Sequence, residues 1–139
     1  MTEGLTGTTE LVHLATDGPV ATTTLDSQHN RNALSRQLVT ELLAALEAAE
    51  TDPDVRVVVI TAAGRVFCSG ADLSEAATGS MEEDARAIVD LQRRILAHPL
   101  PVVTRLAGPV RAGGLGLVAA SDVVSFSEEV TFAFTESRP

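Results

Sequence analysis

Two segments of this 139-residue chain put small residues where backbone N–H groups could meet a developing negative charge. The first is Phe67-Cys68-Ser69-Gly70-Ala71-Asp72-Leu73, and the second is Arg111-Ala112-Gly113-Gly114-Leu115-Gly116-Leu117. Each follows an apolar, strand-like run, and the second opens a helical pattern. Small residues let a ligand approach the backbone, and a helix start leaves N–H groups without intrahelical acceptors. Two such donors from different loops, converging on one point, make an oxyanion hole, and a carbonyl becoming an enolate is the group such a hole serves. Either loop alone reads more readily as a tight turn; the pair, in this order and at this spacing, argues for chemistry.

Other chemistry is poorly supplied. His13, His29 and His98 lie far apart without metal-ligand spacing, so no metal is expected. The single Cys68 can form no internal disulfide and reads as a small core residue rather than a nucleophile. Gly114-x-Gly116-x-x-Ala119 matches the dinucleotide fingerprint, which keeps a nucleotide-binding enzyme as a weaker rival. That reading leaves Phe67 to Leu73 unexplained, and Gly108 to Gly113 separate the motif from its strand.

The elements that must position these loops follow from periodicity. Residues 9–15 and 19–25 are β-leaning runs around the turn formers Thr16-Asp17-Gly18, a hairpin. Leu38, Val39, Leu42, Leu43 and Leu46 recur at helical spacing, predicting a helix from Leu34 to about Ala49, stopped at Asp52-Pro53-Asp54. Val55 to Thr61 is a nearly continuous apolar run, typical of a strand buried on both faces. Ser80 and Glu83 form a capping box for a second helix with Ile88, Leu91 and Ile95 as its apolar stripe and Arg93 and Arg94 near its end. Strands over 102–107, 122–126 and 131–134 and a short helix from Gly113 to Ala120 complete an α/β pattern of one domain, 1–139, with no visible sequence repeat.

Composition narrows the function. Ten basic against nineteen acidic residues give a net charge of -9, and aromatic content is 3% without Trp or Tyr, which argues against a nucleic-acid partner. No apolar run reaches the ~20 residues of a membrane span. The first ten residues lack the basic start and apolar stretch of a signal peptide, so a cytoplasmic protein is expected.

From about Val20 to Glu136 the sequence resembles the enoyl-CoA hydratase/isomerase, or crotonase, family. The resemblance rests on Asn32-Ala33-Leu34, Val57 to Thr61, Phe67 to Leu73, Pro101-Val102-Val103, Gly113-Gly114, Ser121-Asp122 and Phe134-Thr135-Glu136. It implies a crotonase-like spiral of ββα units. It also implies an N-terminal portion of the usual chain, C-terminally truncated, from a homo-oligomer (trimer or hexamer). The implied oxyanion donors are the N–H groups of Ala71 and Gly113. An acyl-CoA substrate is implied near Asn30, Arg31, Ala33, Ser69, Asp72, Leu73 and Gly114, with coenzyme A as part of the substrate and no separate cofactor. Arg31 and Arg36 are candidates for its phosphates, or equally solvated charges flanking a helix start.

Of the two glutamates that hydratases of the family use, one position carries Gly116, and the other matches Glu136, where Thr135 stands for the frequent Pro. A single carboxylate suffices for a 1,3-proton shift, whereas adding water needs a second group. The resemblance therefore implies isomerase-type or non-standard hydratase chemistry. A catalytically inactive acyl-CoA-binding or interaction fragment is the alternative.

Overall fold

A computed structural model of the chain describes residues 9–75 and 79–134. Strands β1 (Val12–Asp17) and β2 (Val20–Leu25) pair antiparallel, from Val12 opposite Leu25 to Asp17 opposite Val20. The turn is therefore Gly18-Pro19, with Gly18 at φ 58°, later than the sequence suggested. Glycine supplies the positive φ that a two-residue hairpin needs, so Thr16 and Asp17 stay in the ladder.

Helix α1 (Arg36–Thr51) is capped by Ser35, whose Oγ accepts the Leu38 N–H at 3.2 Å, and it buries Leu38, Val39, Leu42, Ala45, Leu46 and Ala49. It starts after Leu34 because Leu34 is held extended, its N–H donating to Gly70 O at 2.7 Å. The chain continues through β3 (Val57–Ala62), α2 (Met81–Leu96), β4 (Val102–Leu106), β5 (Val110–Arg111), α3 (Gly114–Ala120), β6 (Val123–Phe126) and β7 (Phe132–Ala133). Ser80 Oγ accepts the Glu83 N–H at 3.2 Å, as the capping pattern predicts, with acids in the first turn of α2 and arginines in its last.

The main sheet runs β1-β2-β3-β4-β6, and every pair after the hairpin is parallel. In β3, Val58 and Ile60 are fully buried. Asp122 anchors the sheet: its carboxylate accepts the Val102 N–H at 2.8 Å, and its own N–H donates to Val102 O at 2.9 Å. Helix α1 packs on β1 and β2, and α2 packs between α1 and α3. Phe67, Leu42, Ile60, Leu91, Ile95 and Leu117 are among the fully buried side chains between these layers.

A second layer positions the loops. Strands β5 and β7 pair in parallel, a pairing the sequence did not reveal because two residues are too few to show alternation. Residues 67–71 run beside β5, with the Phe67 N–H donating to Pro109 O and the Arg111 N–H to Cys68 O, both at 3.0 Å. Residues 31–34 lie beside 69–71 in turn, through Ser69 N–H to Arg31 O at 3.1 Å. Each of β2, β3 and β4 is thus followed by a short extended segment in this layer and then by a helix. The ββα repeat is a repeat of structure, and it lines up the chain just ahead of α1, α2 and α3.

Candidate active site

That alignment brings Ala71 and Gly113 together. A Cβ built on Gly113 would lie 3.8 Å from Ala71 N and 3.7 Å from Leu34 Cδ1, and one on Gly70 would lie 3.3 Å from Gly113 N. Among the described residues, neither Ala71 nor Gly113 donates its N–H to an acceptor. Ala71 is exposed and Gly113 half-buried, so a ligand can reach both. Two free, adjacent amide donors fixed by rigid segments are suited to hold one oxygen that gains negative charge.

The surrounding backbone is held in unusual conformations. Gly70 has φ 103°, and its absent Cβ would meet Ala112 Cβ at 2.9 Å, so both conformation and space demand glycine. Ala112, at φ 48°, is kept there by its N–H bond to Ala133 O at 2.9 Å. The other non-glycine residues with positive φ among those described are Arg31 and Asn32, both at 57°. All three lie in the second-layer segments around the two free amides, where strain of this kind often marks function. Asn32 is buried and pins two loops: its Oδ1 accepts the Ser27 N–H at 2.7 Å and its Nδ2 donates to Val66 O at 2.9 Å. Its organising role was not read from sequence, although asparagine's tolerance of the left-handed region was a signal.

The other expected substrate residues surround the pair with differing access. Asn30 donates through Nδ2 to Asp72 Oδ2 at 3.3 Å and accepts from Ser27 Oγ at 2.6 Å. Hydrogen bonds from Ser74, with one from Asn30, hold the Asp72 carboxyl below its usual range. Ser69 Oγ donates to Asn30 O at 3.0 Å, tying the two segments. Leu73 is 83% exposed, an apolar side chain standing in solvent beside Ala71. Ala33 and Gly114 are buried behind the site. A Cβ on Gly114 would meet Cys68 Cβ at 2.8 Å and Sγ at 3.0 Å, so this glycine serves packing, which removes the main reason to read it as a dinucleotide motif. Cys68 is itself fully buried, and burial pushes its thiol up to about 11, so it is no nucleophile.

The two arginines part company. Arg31 is exposed and forms no ion pair among the described residues. Arg36, exposed at the start of α1, is chelated by Asp84, Nε to Oδ1 at 2.8 Å and a terminal nitrogen to Oδ2 at 3.0 Å. Its guanidinium also reaches Glu75 O at 3.3 Å, so it joins α1 to α2. Arg111 is likewise occupied by Thr131, through O and Oγ1, each at 2.9 Å.

Two cavities flank the loops. One of about 180 Å³ lies against Ala71 and is walled by Leu34, Leu73, Met81, Ala85 and Ile88, a mainly apolar space. A larger one, about 600 Å³, lies across the Asn30–Asp72 bond and carries Asp26, Asp72 and Glu75. Its acidic wall suits phosphates poorly. Glu136 lies outside the described residues. Among the described residues, no group of His, Cys, Asp and Glu could hold a metal, and no helix is long and apolar enough to cross a membrane.

A family model described as enoyl-CoA hydratase/isomerase matches residues 15–138. A candidate enoyl-CoA hydratase of Thermus thermophilus is 41% identical over 127 residues, 87% of this chain and 50% of that protein. An enoyl-CoA hydratase from Mycobacterium avium has a crystal structure that superposes with a TM-score of 0.84 at 44% identity, covering 94% of this chain and 52% of that one. A candidate enoyl-CoA hydratase from Mycobacterium avium paratuberculosis gives a TM-score of 0.84 at 46% identity, over 91% of this chain and 51% of that one. The chain thus spans about half the length of the relatives it matches.

Proposed function

The chain belongs to the enoyl-CoA hydratase/isomerase family and has a crotonase-like α/β fold, and from that premise we propose that it binds an acyl-CoA thioester and stabilises its enolate between the N–H groups of Ala71 and Gly113. The observation that carries this reading is the pair of adjacent amides without acceptors among the described residues. The thioester oxygen sits between them, the acyl chain enters the apolar space along Leu73, Met81, Ala85 and Ile88, and Leu73 closes over it. Asn30, Ser69, Asp72, Ala33 and Gly114 shape the loops, and Arg31, exposed and without an ion pair among the described residues, meets the coenzyme A phosphates. Coenzyme A enters as part of the substrate, and no separate cofactor is invoked. A homo-oligomer, trimer or hexamer, in the cytoplasm belongs to the same reading.

Glu136 is the acid/base in this account. Its sequence position supports the assignment: it follows β7 by three residues, and β7 pairs with β5, the strand leading into Gly113. Glu136 takes a proton from C2 of a 3-enoyl-CoA, the electron pair delocalises onto the thioester oxygen, and the proton returns at C4 to give the 2-enoyl-CoA. Water addition needs a second proton-transfer group, and Gly116 offers none. The intact protein should therefore isomerise 3-enoyl-CoA faster than it hydrates 2-enoyl-CoA, measured by chromatography of the products formed from each substrate. Efficient hydration would show that another group replaces the missing carboxylate. Acyl-CoA binding with neither reaction would favour a non-catalytic binding role, which Gly116 also fits.

A further inference from the structure

The apolar cavity against Ala71 has a neighbour. A second cavity, about 270 Å³, lies between α1 and α2, where Val39, Thr40, Leu43 and Ala87 line it. Leu34 and Asp84 belong to the walls of both cavities, so these two side chains stand between them. On α2, Ala87 lines the second cavity and Ile88 the first. Asp84 precedes them by three and four residues and so shares the helix face on which the two spaces divide. Its carboxylate is fixed there, both oxygens accepting from the Arg36 guanidinium at 2.8 and 3.0 Å. Arg36 is in turn held from other sides: its backbone N–H donates to Glu75 Oε1 at 2.9 Å, and its guanidinium fills the space a side chain at Gly79 would take. A lone exposed ion pair contributes little, but a bidentate arginine–carboxylate pair tied into a network keeps its geometry.

We infer that Asp84, held by Arg36, is a specificity-determining residue: with Leu34 it closes the acyl pocket toward the second cavity and so limits the length of acyl chain accepted. This rests on the acyl-CoA reading above, which lays the chain along Leu73, Met81, Ala85 and Ile88. A chain long enough to reach the divide meets an ionised carboxylate, and methylenes pressed against that group would strip its water at a cost in free energy. Without the carboxylate the two spaces join into one longer pocket.

Isothermal titration of the intact protein with saturated straight-chain acyl-CoAs, from butyryl-CoA to dodecanoyl-CoA, tests the inference. Wild-type affinity should rise by up to about fourfold per added methylene until the first cavity is full, then level off. Asp84→Ala, which keeps a good helix former on α2, should move that plateau to longer chains, again by up to about fourfold per methylene admitted, relative to butyryl-CoA. The double variant Arg36→Ala/Asp84→Ala makes the same forecast with no freed guanidinium to refill the gap. Ala87→Leu, which fills the second cavity, should return the plateau to its wild-type length in either background. In the otherwise wild-type protein Ala87→Leu should leave the plateau where it is, a check independent of how the Asp84 variants fold. Four results overturn the inference and leave the acyl-CoA reading standing: no plateau in the wild type, a plateau shortened by Ala87→Leu alone, an unmoved plateau in the Asp84 variants, or a longer reach that survives Ala87→Leu. A wild type that binds none of the series overturns both.

Discussion

Gly113 offers a sharper probe of the site than its neighbours do. Its backbone is in the ordinary helical region, φ -60°, and a methyl group there would make only ordinary contacts, 3.7 Å to Leu34 Cδ1 and 3.8 Å to Ala71 N. Gly113→Ala should therefore fold as the wild type does, yet place a methyl group against the Ala71 N–H and crowd out the thioester oxygen. We expect turnover to fall by about 10²–10³, the usual worth of an oxyanion donor, with the melting temperature unchanged. Undiminished turnover would remove this amide from the mechanism. At this scale the sequence was informative where chemistry depends on backbone: the two glycine-containing loops were visible as candidates because small residues are themselves the requirement. It was uninformative where a side chain's fate depends on its neighbour. Arg36 looked available until Asp84 was seen to hold it, and Gln92 sat unremarked in an amphipathic helix until Gly116 was found beneath it. The obstacle to a glutamate at 116 is that amide rather than the backbone.

The elements were legible in proportion to their length. Helices α1 and α2 carry full apolar stripes and serine caps; α1 has both ends within about two residues of expectation, the usual uncertainty of helix boundaries, and α2 starts directly after its Ser80 cap. Strand β5 and its pairing with β7 stayed hidden, as did the second layer they belong to, because these short segments are specified by hydrogen bonds to each other and not by pattern. Gly70 is where that layer is least forgiving. Its φ of 103° and the 2.9 Å approach of Ala112 Cβ mean that Gly70→Ala must displace one second-layer segment from the next. We expect a loss of roughly 1–3 kcal/mol in unfolding free energy, read by thermal or denaturant melting. A variant that melts with the wild type would show that the close alignment of residues 67–71 with β5 is not needed for the fold.

For the whole molecule, one structural repeat explains why distant residues meet. Each ββα passage delivers a chain segment to the second layer, and successive segments carry Ala33, Ala71 and Gly113 to neighbouring places, with β7 next in the series. The net charge of -9 gives this molecule little general attraction for a phosphate-bearing ligand, so the proposed function assigns recognition to local groups: the apolar cavity, the two amides and the exposed Arg31. The claim on which all of this converges is that a thioester enolate forms at Ala71 and Gly113, with Glu136 as its base. Deuterium incorporation at C2 of 3-enoyl-CoA in D2O, followed by NMR with the intact protein and with Glu136→Gln, tests it directly, because exchange reports the enolate whatever product follows. The account predicts rapid incorporation with the wild type, and about 10²–10⁴ slower incorporation with Glu136→Gln at nearly unchanged acyl-CoA affinity. Bound 3-enoyl-CoA whose C2 protons exchange no faster than in buffer, or a Glu136→Gln protein as active as the wild type, would contradict it.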